Sequence, residues 1–186
     1  MKNLTLVIPA KNEPNCLPRV LKEIKNYDCK KIIVMDKEDK KTFEAIKEFD
    51  VQILFQTGEG YGNAIIEGMR EVNTEYLGIF YADGSTDPKY LSEMINKIEK
   101  DNLSIIFCSR YEKNGGSDDD DIITRIGNFF FTFIGNILFS LKISDILFTY
   151  FVAKKSEIEK LQLKSNDYCL CVEIPIKCKI NNYKYK

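Results

Sequence analysis

The sequence predicts a single α/β domain in which a mostly parallel sheet carries helices on both faces. Short apolar runs alternate with segments of helical periodicity over residues 1–111, an order that is typical of parallel sheets. The chain has 186 residues, of which 44% are hydrophobic and 30% charged, and this suits one domain with a hydrophobic core. Ligands of such sheets bind beyond the carboxyl ends of the strands, so functional residues are expected there.

Five apolar runs have the length and composition of buried strands. They are LTLVI (4–8), KIIVM (31–35), VQILF (51–55), YLGIFY (76–81) and LSIIFCSRY (103–111). Apolar residues that recur every three to four positions predict amphipathic helices between them, and Pro88 fits only near the start of one. The predicted helices cover residues 14–27, 42–49, 64–72 and 88–100.

The composition changes after Tyr111. EKNGGSDDDD (112–121) predicts a mobile acidic loop, and the next 22 residues, IITRIGNFFFTFIGNILFSLKI, predict one long apolar helix or two. A helix that is apolar all round is usually buried in the core, but such a surface could also lie at a membrane interface. No run reaches the roughly 18 apolar residues of a membrane-spanning helix. An irregular β-like piece (146–155), a short helix (156–163) and a hydrophobic stretch (168–180) are expected to follow.

The composition excludes several kinds of chemistry. The chain has no histidine, so catalysis must rest on carboxylates, lysine, arginine, hydroxyls, thiols or a metal held by oxygen ligands. A net charge of −1 gives no positive field for nucleic acid.

The six cysteines form no C-x-x-C pair, and MKNLTLVIPA is too polar for a signal peptide. Buried free thiols in a reducing cytosol are therefore favoured. A zinc site made by Cys169, Cys171 and Cys178 is the alternative.

The motif FYADGSTDP places two carboxylates after the fourth predicted strand. Asp83 followed by glycine can hold Mg²⁺ or Mn²⁺, hard cations that take oxygen ligands and share them with substrate phosphates. A plain surface turn is the alternative. Asp87 stands before Pro88 and suits a helix cap better than a ligand.

Three further strand ends carry candidate ligand-binding residues. The loop GEGYGNA (58–64) before a helix is typical of a phosphate cradle or of an ordinary turn. Asp36 can accept a hydrogen bond from a ribose hydroxyl or lie solvated in a charged loop. Arg110 and Arg125 can each bind phosphate or pair with the acidic loop at 117–121.

Together these motifs resemble the family 2 nucleotide-sugar glycosyltransferases of the GT-A fold, especially the dolichyl- and polyprenyl-phosphate mannose synthase type. The segments that carry the resemblance stand in the family's order and span nearly the whole chain. They are LVIPAKNE, IIVMDKEDKKT, GEGYGNAIIEGM, FYADGSTDP, FCSRY, ITRIGNFFFTFIGNILFSLKISD and YCLCVEIPIKCKINNYKY. The number, order and spacing of the motifs carry the resemblance, since each motif alone is weak.

The resemblance implies a nucleotide-sugar-binding half at 1–111 and an acceptor-side half at 112–186. On the donor side it assigns the base and ribose contacts to Pro9, Glu13 and Asp36, and the sugar-nucleotide pocket to Gly62 and Asn63. Lys11 stands where the family commonly has tyrosine and is a candidate for added positive charge near the diphosphate. Asp83 would hold the metal and the diphosphate, with Asp87 or Asp145 as the base for a hydroxyl acceptor. The residues facing the diphosphate or an acceptor phosphate would be Arg110, Arg125 and Asn128, with Asp145 near the acceptor.

The implied activity is metal-dependent transfer of a hexosyl group from a GDP- or UDP-sugar to a polyprenyl phosphate or a sugar. The protein would be cytoplasmic or peripheral on the cytoplasmic face of a membrane. Two departures from the family pattern bear on this: Tyr81 replaces the first aspartate of the D-x-D motif, and Lys37 replaces the second aspartate of the strand-two pair. A degenerate, non-catalytic GT-A domain is therefore the alternative. A sugar-phosphate nucleotidyltransferase is disfavoured, because PAKNEPN lacks a glycine-rich triphosphate loop.

Overall fold

A computed structural model describes residues 1–112, 115–116 and 122–186. Within them the strands are β1 (Leu4–Ala10), β2 (Lys30–Met35), β3 (Gln52–Phe55), β4 (Tyr76–Ile79), β5 (Ile105–Phe107) and β6 (Phe151–Lys154). The helices are α1 (Cys16–Glu23), α2 (Lys40–Ile46), α3 (Tyr61–Glu71), α4 (Tyr90–Asp101), α5 (Ile122–Phe139), α6 (Lys155–Lys160) and α7 (Leu170–Ile180). The predicted acidic loop lies largely outside the described residues.

One six-stranded sheet organises the chain in the order β3-β2-β1-β4-β6-β5. β1 pairs in parallel with β2 and β4, and β2 pairs in parallel with β3. β6 lies between β4 and β5 and is antiparallel to both. The predicted α/β class with a mostly parallel sheet is confirmed, and the carboxyl ends of β1 to β5 lie at one edge.

Hydrophobic layers cover both faces of this sheet. Alternate residues of β1 point to opposite faces, so Leu6 and Ile8 pack with α1 and α4, whereas Val7 packs with α3. Gly68 lets α3 approach the sheet closely, since a Cβ there would lie 2.4 Å from Cγ1 of Val7. The sheet edge is therefore set on a rigid, two-sided core.

Two helices differ from their expected form. The fourth predicted helix begins at Tyr90 rather than Pro88, because Pro88 and Lys89 form a turn ahead of it. The hydrophobic stretch near the end forms α7, which contains Pro175 and packs against the core through Leu170, Ile174 and Cys178.

Helix α5 has its polar face inward, which contradicts the buried-core alternative of the two positions expected for it. Its buried residues are Asn128, Thr132 and Gly135, which share one face at spacings of four and three residues. Its large apolar side chains are exposed: Ile122, Ile123, Ile126, Phe129, Phe130, Phe131, Phe133, Ile137, Leu138 and Phe139.

By length and composition α5 could cross a membrane, with a mean hydropathy of 1.5, and 17% of it is buried. It is the one helix in the described ranges that meets this criterion.

Candidate functional site at the carboxyl edge of the sheet

The ends of β1 and β2 are joined through Asp39. Its carboxylate accepts hydrogen bonds from the backbone N–H of Asn12, at 2.6 Å, and of Thr42, at 3.2 Å, which caps α2. The backbone N–H of Glu13 donates to the Thr42 hydroxyl at 2.9 Å. Burial disfavours the charged carboxylate, but the hydrogen bonds from Thr42 and Asn12 outweigh it and lower the pKa of Asp39.

Those contacts bring the predicted donor-side residues of two strands to one place. Pro9 lies within β1 and pairs with Val34 of β2, and Lys11 and Glu13 follow on the same loop. Asp36 follows β2 and is exposed, with its carboxylate accepting the Glu38 N–H at 2.9 Å. The sequence analysis did not predict that Asp39 connects the ends of β1 and β2. Its position three residues before Thr42 is nevertheless typical of a helix cap.

The glycine loop before α3 makes hydrogen bonds and close contacts with other parts of the protein. Glu67 accepts hydrogen bonds from the backbone of Thr57 and Gly58, and the N–H of Asn63 donates to the carbonyl of Asn166 at 3.0 Å. A Cβ at Gly62 would lie 2.2 Å from the carbonyl oxygen of Ser165. These contacts favour the structural turn over the phosphate cradle, and donor binding by Gly62 and Asn63 stays a prediction.

Glu173 of α7 holds the segment that covers this loop. Its carboxylate accepts the backbone N–H groups of Lys164, at 2.9 Å, and Ser165, at 2.7 Å, and pairs with Lys177 at 2.7 Å. Burial alone would raise the pKa of Glu173, but Lys177 and these hydrogen bonds outweigh it and lower the pKa to about 2. The negative charge of Glu173 therefore stabilises the segment that packs against the loop before α3.

Asp83 lies in an exposed turn beyond β4. Its Oδ1 accepts hydrogen bonds from the N–H of Ser85, at 2.8 Å, and from the Ser85 hydroxyl, at 2.7 Å. Gly84 has a φ of +91°, a backbone conformation that favours glycine. Ser85 and Gly84 thus orient the Asp83 carboxylate at the strand edge.

Tyr81 lies in a hydroxyl cluster with Thr149 and Tyr61. The Tyr81 and Tyr61 hydroxyls each lie 2.7 Å from Oγ1 of Thr149, and the N–H of Thr149 donates to the Tyr81 oxygen at 2.9 Å. Burial raises the pKa of both tyrosines, so their hydroxyls stay neutral. Tyr81 therefore supplies no negatively charged oxygen at this strand end.

Arg110 and Asp145 form an ion pair at the end of β5. Nε of Arg110 lies 2.8 Å from Oδ2 and Nη2 lies 2.9 Å from Oδ1, a two-pronged geometry that is among the stronger ones. The Asp145 side chain is 0% exposed. Residues 117–121 of the acidic loop lie outside the described part of the chain, so the predicted pairing of Arg110 with that loop stays a prediction. The ion pair commits the Asp145 oxygens to Arg110 and so favours a positioning role over that of a base.

Tyr111 contacts all three residues that were predicted to face a phosphate. The guanidinium carbons of Arg110 and Arg125 lie 5.3 Å and 6.0 Å from its ring centre, and its hydroxyl accepts a hydrogen bond from Asn128 at 2.7 Å. Arg125 is exposed at the start of α5. Sequence reasoning missed Tyr111, although it directly follows Arg110 in the FCSRY motif.

Asp87 forms a turn ahead of α4 instead of capping the helix itself. Its carboxylate accepts the N–H of Lys89 at 2.9 Å and also pairs with the Lys89 ammonium group. Its carbonyl accepts a hydrogen bond from Tyr150 at 2.8 Å. Asp87, Arg110 and Asp145 all line one open cavity of about 1190 Å³.

The free thiols show no sign of a zinc site. Cys171 and Cys178 are buried, whereas Cys169 is exposed, and burial raises the pKa of Cys171 to about 11 and that of Cys178 to about 12. Across residues 1–112, 115–116 and 122–186, no group of three or more cysteine or acidic side chains is arranged to hold a metal.

Known proteins resemble the chain in sequence and in fold. A family profile described as Glycosyl transferase family 2 matches residues 5–162. A UDP-N-acetylglucosamine--dolichyl-phosphate N-acetylglucosaminyltransferase of Methanococcus voltae is 24% identical over 97% of this chain and 81% of its own length.

The similar solved structures share the fold at low identity. One is glucosyl-3-phosphoglycerate synthase of Mycobacterium tuberculosis with Mn²⁺, uridine diphosphate and glucosyl-3-phosphoglycerate (TM-score 0.69, 11% identity, 91% of this chain covered). Another is mannosyl-3-phosphoglycerate synthase of Rubrobacter xylanophilus (TM-score 0.65, 12% identity, 82% covered). The chain spans 62% and 53% of the length of these two structures.

Replacing Glu173 with glutamine should destabilise the fold by about 2 kcal/mol at pH 7, because the charged acceptor of two backbone N–H groups is lost. The folded pKa of about 2 lies below the unfolded value of about 4.3. The stability that the charge contributes is therefore complete above the unfolded value and is lost as the pH falls towards the folded one.

Urea unfolding of both proteins as a function of pH measures this difference. Glu44→Gln is the control, since the Glu44 side chain is 61% exposed and pairs with exposed Lys47; this replacement should change stability little. A difference between wild type and Glu173→Gln that stayed constant from pH 7 to strongly acidic pH would contradict the assignment.

Proposed function

The chain belongs to glycosyl transferase family 2 and has its GT-A fold, and from that premise we propose that it transfers a hexosyl group from a nucleotide-diphosphate sugar to a polyprenyl phosphate. The observation that supports a polyprenyl phosphate as the acceptor is the orientation of helix α5. This helix buries polar residues and exposes apolar ones, and Arg125 lies near its start. A lipid-linked phosphate offers both an anion and an acyl chain to such a surface.

A uridine diphosphate sugar is the first donor to test. The Methanococcus voltae relative is named for UDP-N-acetylglucosamine, and the Mycobacterium tuberculosis structure contains uridine diphosphate. Asp36, Glu13 and Pro9 stand at adjacent strand ends, where the base and ribose would lie. GDP-sugars are the second donor class to test, because these residues do not discriminate the bases by hydrogen bonding alone.

On the donor side, a divalent metal would be bound by Asp83 together with the phosphates of the substrate. Asp83 offers one oriented carboxylate, and Mg²⁺ is commonly held by one or two carboxylates together with substrate phosphates and water. When bound, Mg²⁺ or Mn²⁺ would neutralise charge on the leaving diphosphate. Ser85 would keep the Asp83 carboxylate in place during this.

The proposed reaction needs no general base. A polyprenyl phosphate oxygen is already anionic at neutral pH and attacks the anomeric carbon of the sugar. The bond from that carbon to the diphosphate oxygen breaks, and its electron pair leaves with the nucleoside diphosphate. Arg125 would orient the acceptor anion, while Asp145 fixes Arg110 beside it.

The inverted polarity of α5 supports a lipid-facing position. In a lipid environment helices contact the rest of the protein through small and polar residues, and Asn128, Thr132 and Gly135 are such residues. The Thr132 hydroxyl accepts the N–H of Ile146 at 3.2 Å, and Asn136 exchanges two hydrogen bonds with the backbone of Ile143. We place the protein in the cytoplasm, peripherally on the cytoplasmic face of a membrane.

A non-catalytic GT-A domain is the second candidate, and Tyr81 is the observation that favours it. The neutral Tyr81 hydroxyl occupies the position of a family carboxylate and is committed to Thr149. Such a domain would bind nucleotide sugar weakly or serve as a scaffold, and transfer assays separate the two candidates.

Replacing Asp83 with asparagine should reduce transfer by about a hundredfold or more, as expected when a group that stabilises the leaving charge is lost. The assay measures radiolabel passing from UDP-N-acetylglucosamine, other UDP-sugars and GDP-sugars into a polyprenyl phosphate or a lipid extract. Asp50→Asn, an exposed carboxylate next to β3, is the control and should keep full activity. Full activity of Asp83→Asn would remove its role, and no transfer by the wild type from any donor would favour the non-catalytic candidate.

Replacing Phe129 with serine should weaken binding to phosphatidylcholine vesicles about tenfold, since a buried phenyl side chain is worth roughly 1.5–3 kcal/mol. Phe129 is 71% exposed on α5, and Phe55, 44% exposed on β3, provides the control variant Phe55→Ser. Co-sedimentation with vesicles measures the effect. Equal loss in both variants, or no binding by the wild type, would argue against α5 as the membrane contact.

A further inference from the structure

Tyr168, on the loop before α7, is an exposed aromatic residue to which the proposed reaction assigns no role. Among the exposed large hydrophobic side chains of the described residues, it is the most exposed that lies outside α5, at 73%. A single exposed apolar side chain is ordinary, but Tyr168 is backed by a second ring. It stacks on Tyr61 with the ring centres 4.8 Å apart and the planes 16° from parallel, so its outer face is open to a ligand.

The backbone next to Tyr168 is fixed to the loop before α3. The carbonyl of Asn166 accepts the N–H of Asn63 at 3.0 Å. A Cβ at Gly60 would lie 2.2 Å from the carbonyl oxygen of Asn166, so the two segments are in close contact. The position of the Tyr168 ring is therefore set before any ligand binds, which reduces the ordering cost of binding.

The stacked rings are connected to the strand end that carries Asp83. The Tyr61 hydroxyl lies 2.7 Å from Oγ1 of Thr149, and the Tyr81 hydroxyl lies at the same distance from that atom. Tyr81 stands two residues before Asp83, and Thr149 stands two residues before β6. These contacts place the Tyr61–Tyr168 pair beside the end of β4 and the start of β6, which are neighbours in the sheet.

A nucleotide sugar carries its hexose on the opposite side of the diphosphate from its nucleoside. In the proposed donor site the nucleoside lies at the ends of β1 and β2 and the diphosphate lies beside Asp83, so the hexose extends past β4. We infer that the hexosyl group of the donor stacks on the Tyr168 ring, which makes Tyr168 a specificity-determining residue for the sugar. The inference rests on the proposed function and adds a sugar contact to it.

The chemistry of the two rings suits this contact. One face of a hexose presents C–H groups whose hydrogens carry a small positive charge, and the face of an aromatic ring is negative. Ligand sites commonly combine such aromatic surfaces with a few oriented polar groups. At this strand edge Asp83 is the oriented polar group, and Tyr168 provides the aromatic surface.

Comparing nucleotides with and without the sugar isolates the contact and needs no turnover. Calorimetry with Mn²⁺ present measures the binding of UDP, UDP-N-acetylglucosamine, UDP-glucose, GDP and GDP-mannose. Tyr168→Ser removes the ring, Tyr168→Leu keeps an apolar side chain against Tyr61, and Tyr168→Phe keeps the ring. We expect Tyr168→Ser and Tyr168→Leu to bind the sugar nucleotide that the wild type prefers about tenfold more weakly, about 1.4 kcal/mol. Their affinity for UDP or GDP should be unchanged, and Tyr168→Phe should match the wild type throughout.

The affinity for UDP or GDP reports in each variant whether the rest of the site is intact. Unchanged sugar-nucleotide affinity in Tyr168→Ser and Tyr168→Leu would overturn the inference. A loss in Tyr168→Phe as large as that in Tyr168→Ser would also overturn it, because the hydroxyl and not the ring would be the contact. Equal losses for the nucleoside diphosphate and its sugar nucleotide would overturn it as well, since the ring would then support the nucleoside or the fold. Failure of the wild type to bind any of the five ligands would instead overturn the proposed function.

Discussion

The loop from Asp145 to Tyr150 is the connection on which the geometry of the site depends. Asp145 binds Arg110 of the β5 end, and Thr149 binds the Tyr81 hydroxyl beyond β4. Phe148 packs edge-on against Tyr81, with the Arg110 guanidinium 5.1 Å from its ring centre, and Tyr150 reaches the carbonyl of Asp87. One short loop therefore positions charged and aromatic groups from three sequence segments. A change at any of its residues alters several contacts together, since members of a shared network are not independent.

The same loop explains why α5 faces outward with its apolar side. Ile146 donates its N–H to Thr132, and its side chain packs so closely on Gly135 that a Cβ there would lie 2.6 Å away. Polar and small residues thus make the contact that hydrophobic residues make in most soluble domains. The exposed apolar side of α5 starts next to Arg125, which lies over the Tyr111 ring, so under the proposed function lipid and anion recognition would share one end of the sheet.

Periodicity was sufficient to predict the sheet class, β1 to β5 and the strand ends that carry Asp36, Asp83 and Arg110. The β-like piece expected at 146–155 contains β6. Its antiparallel place between β4 and β5 could not be predicted, because it depends on pairing partners far apart in sequence. The Arg110–Asp145 and Tyr81–Thr149 contacts span 35 and 68 residues and leave no local pattern. The sequence of α5 did contain a pattern that predicts which face is buried. Asn128, Thr132 and Gly135 recur on one helical face, but the high overall hydrophobicity of the helix drew attention away from them. In the glycine loop a visible sequence pattern suggested a phosphate site that the contacts do not favour. Gly60 and Gly62 instead allow close packing against residues 165–167.

If the strand edge is a preformed donor site, Arg110 stays paired with Asp145 when the donor binds. A crystal structure of the protein with UDP or GDP and Mn²⁺ bound is the decisive measurement. We expect a diphosphate and a metal beside Asp83, the nucleoside over the ends of β1 and β2, and the Arg110–Asp145 pair unchanged. A nucleotide bound elsewhere, or an Arg110 that leaves Asp145 to bind the diphosphate, would contradict this expectation.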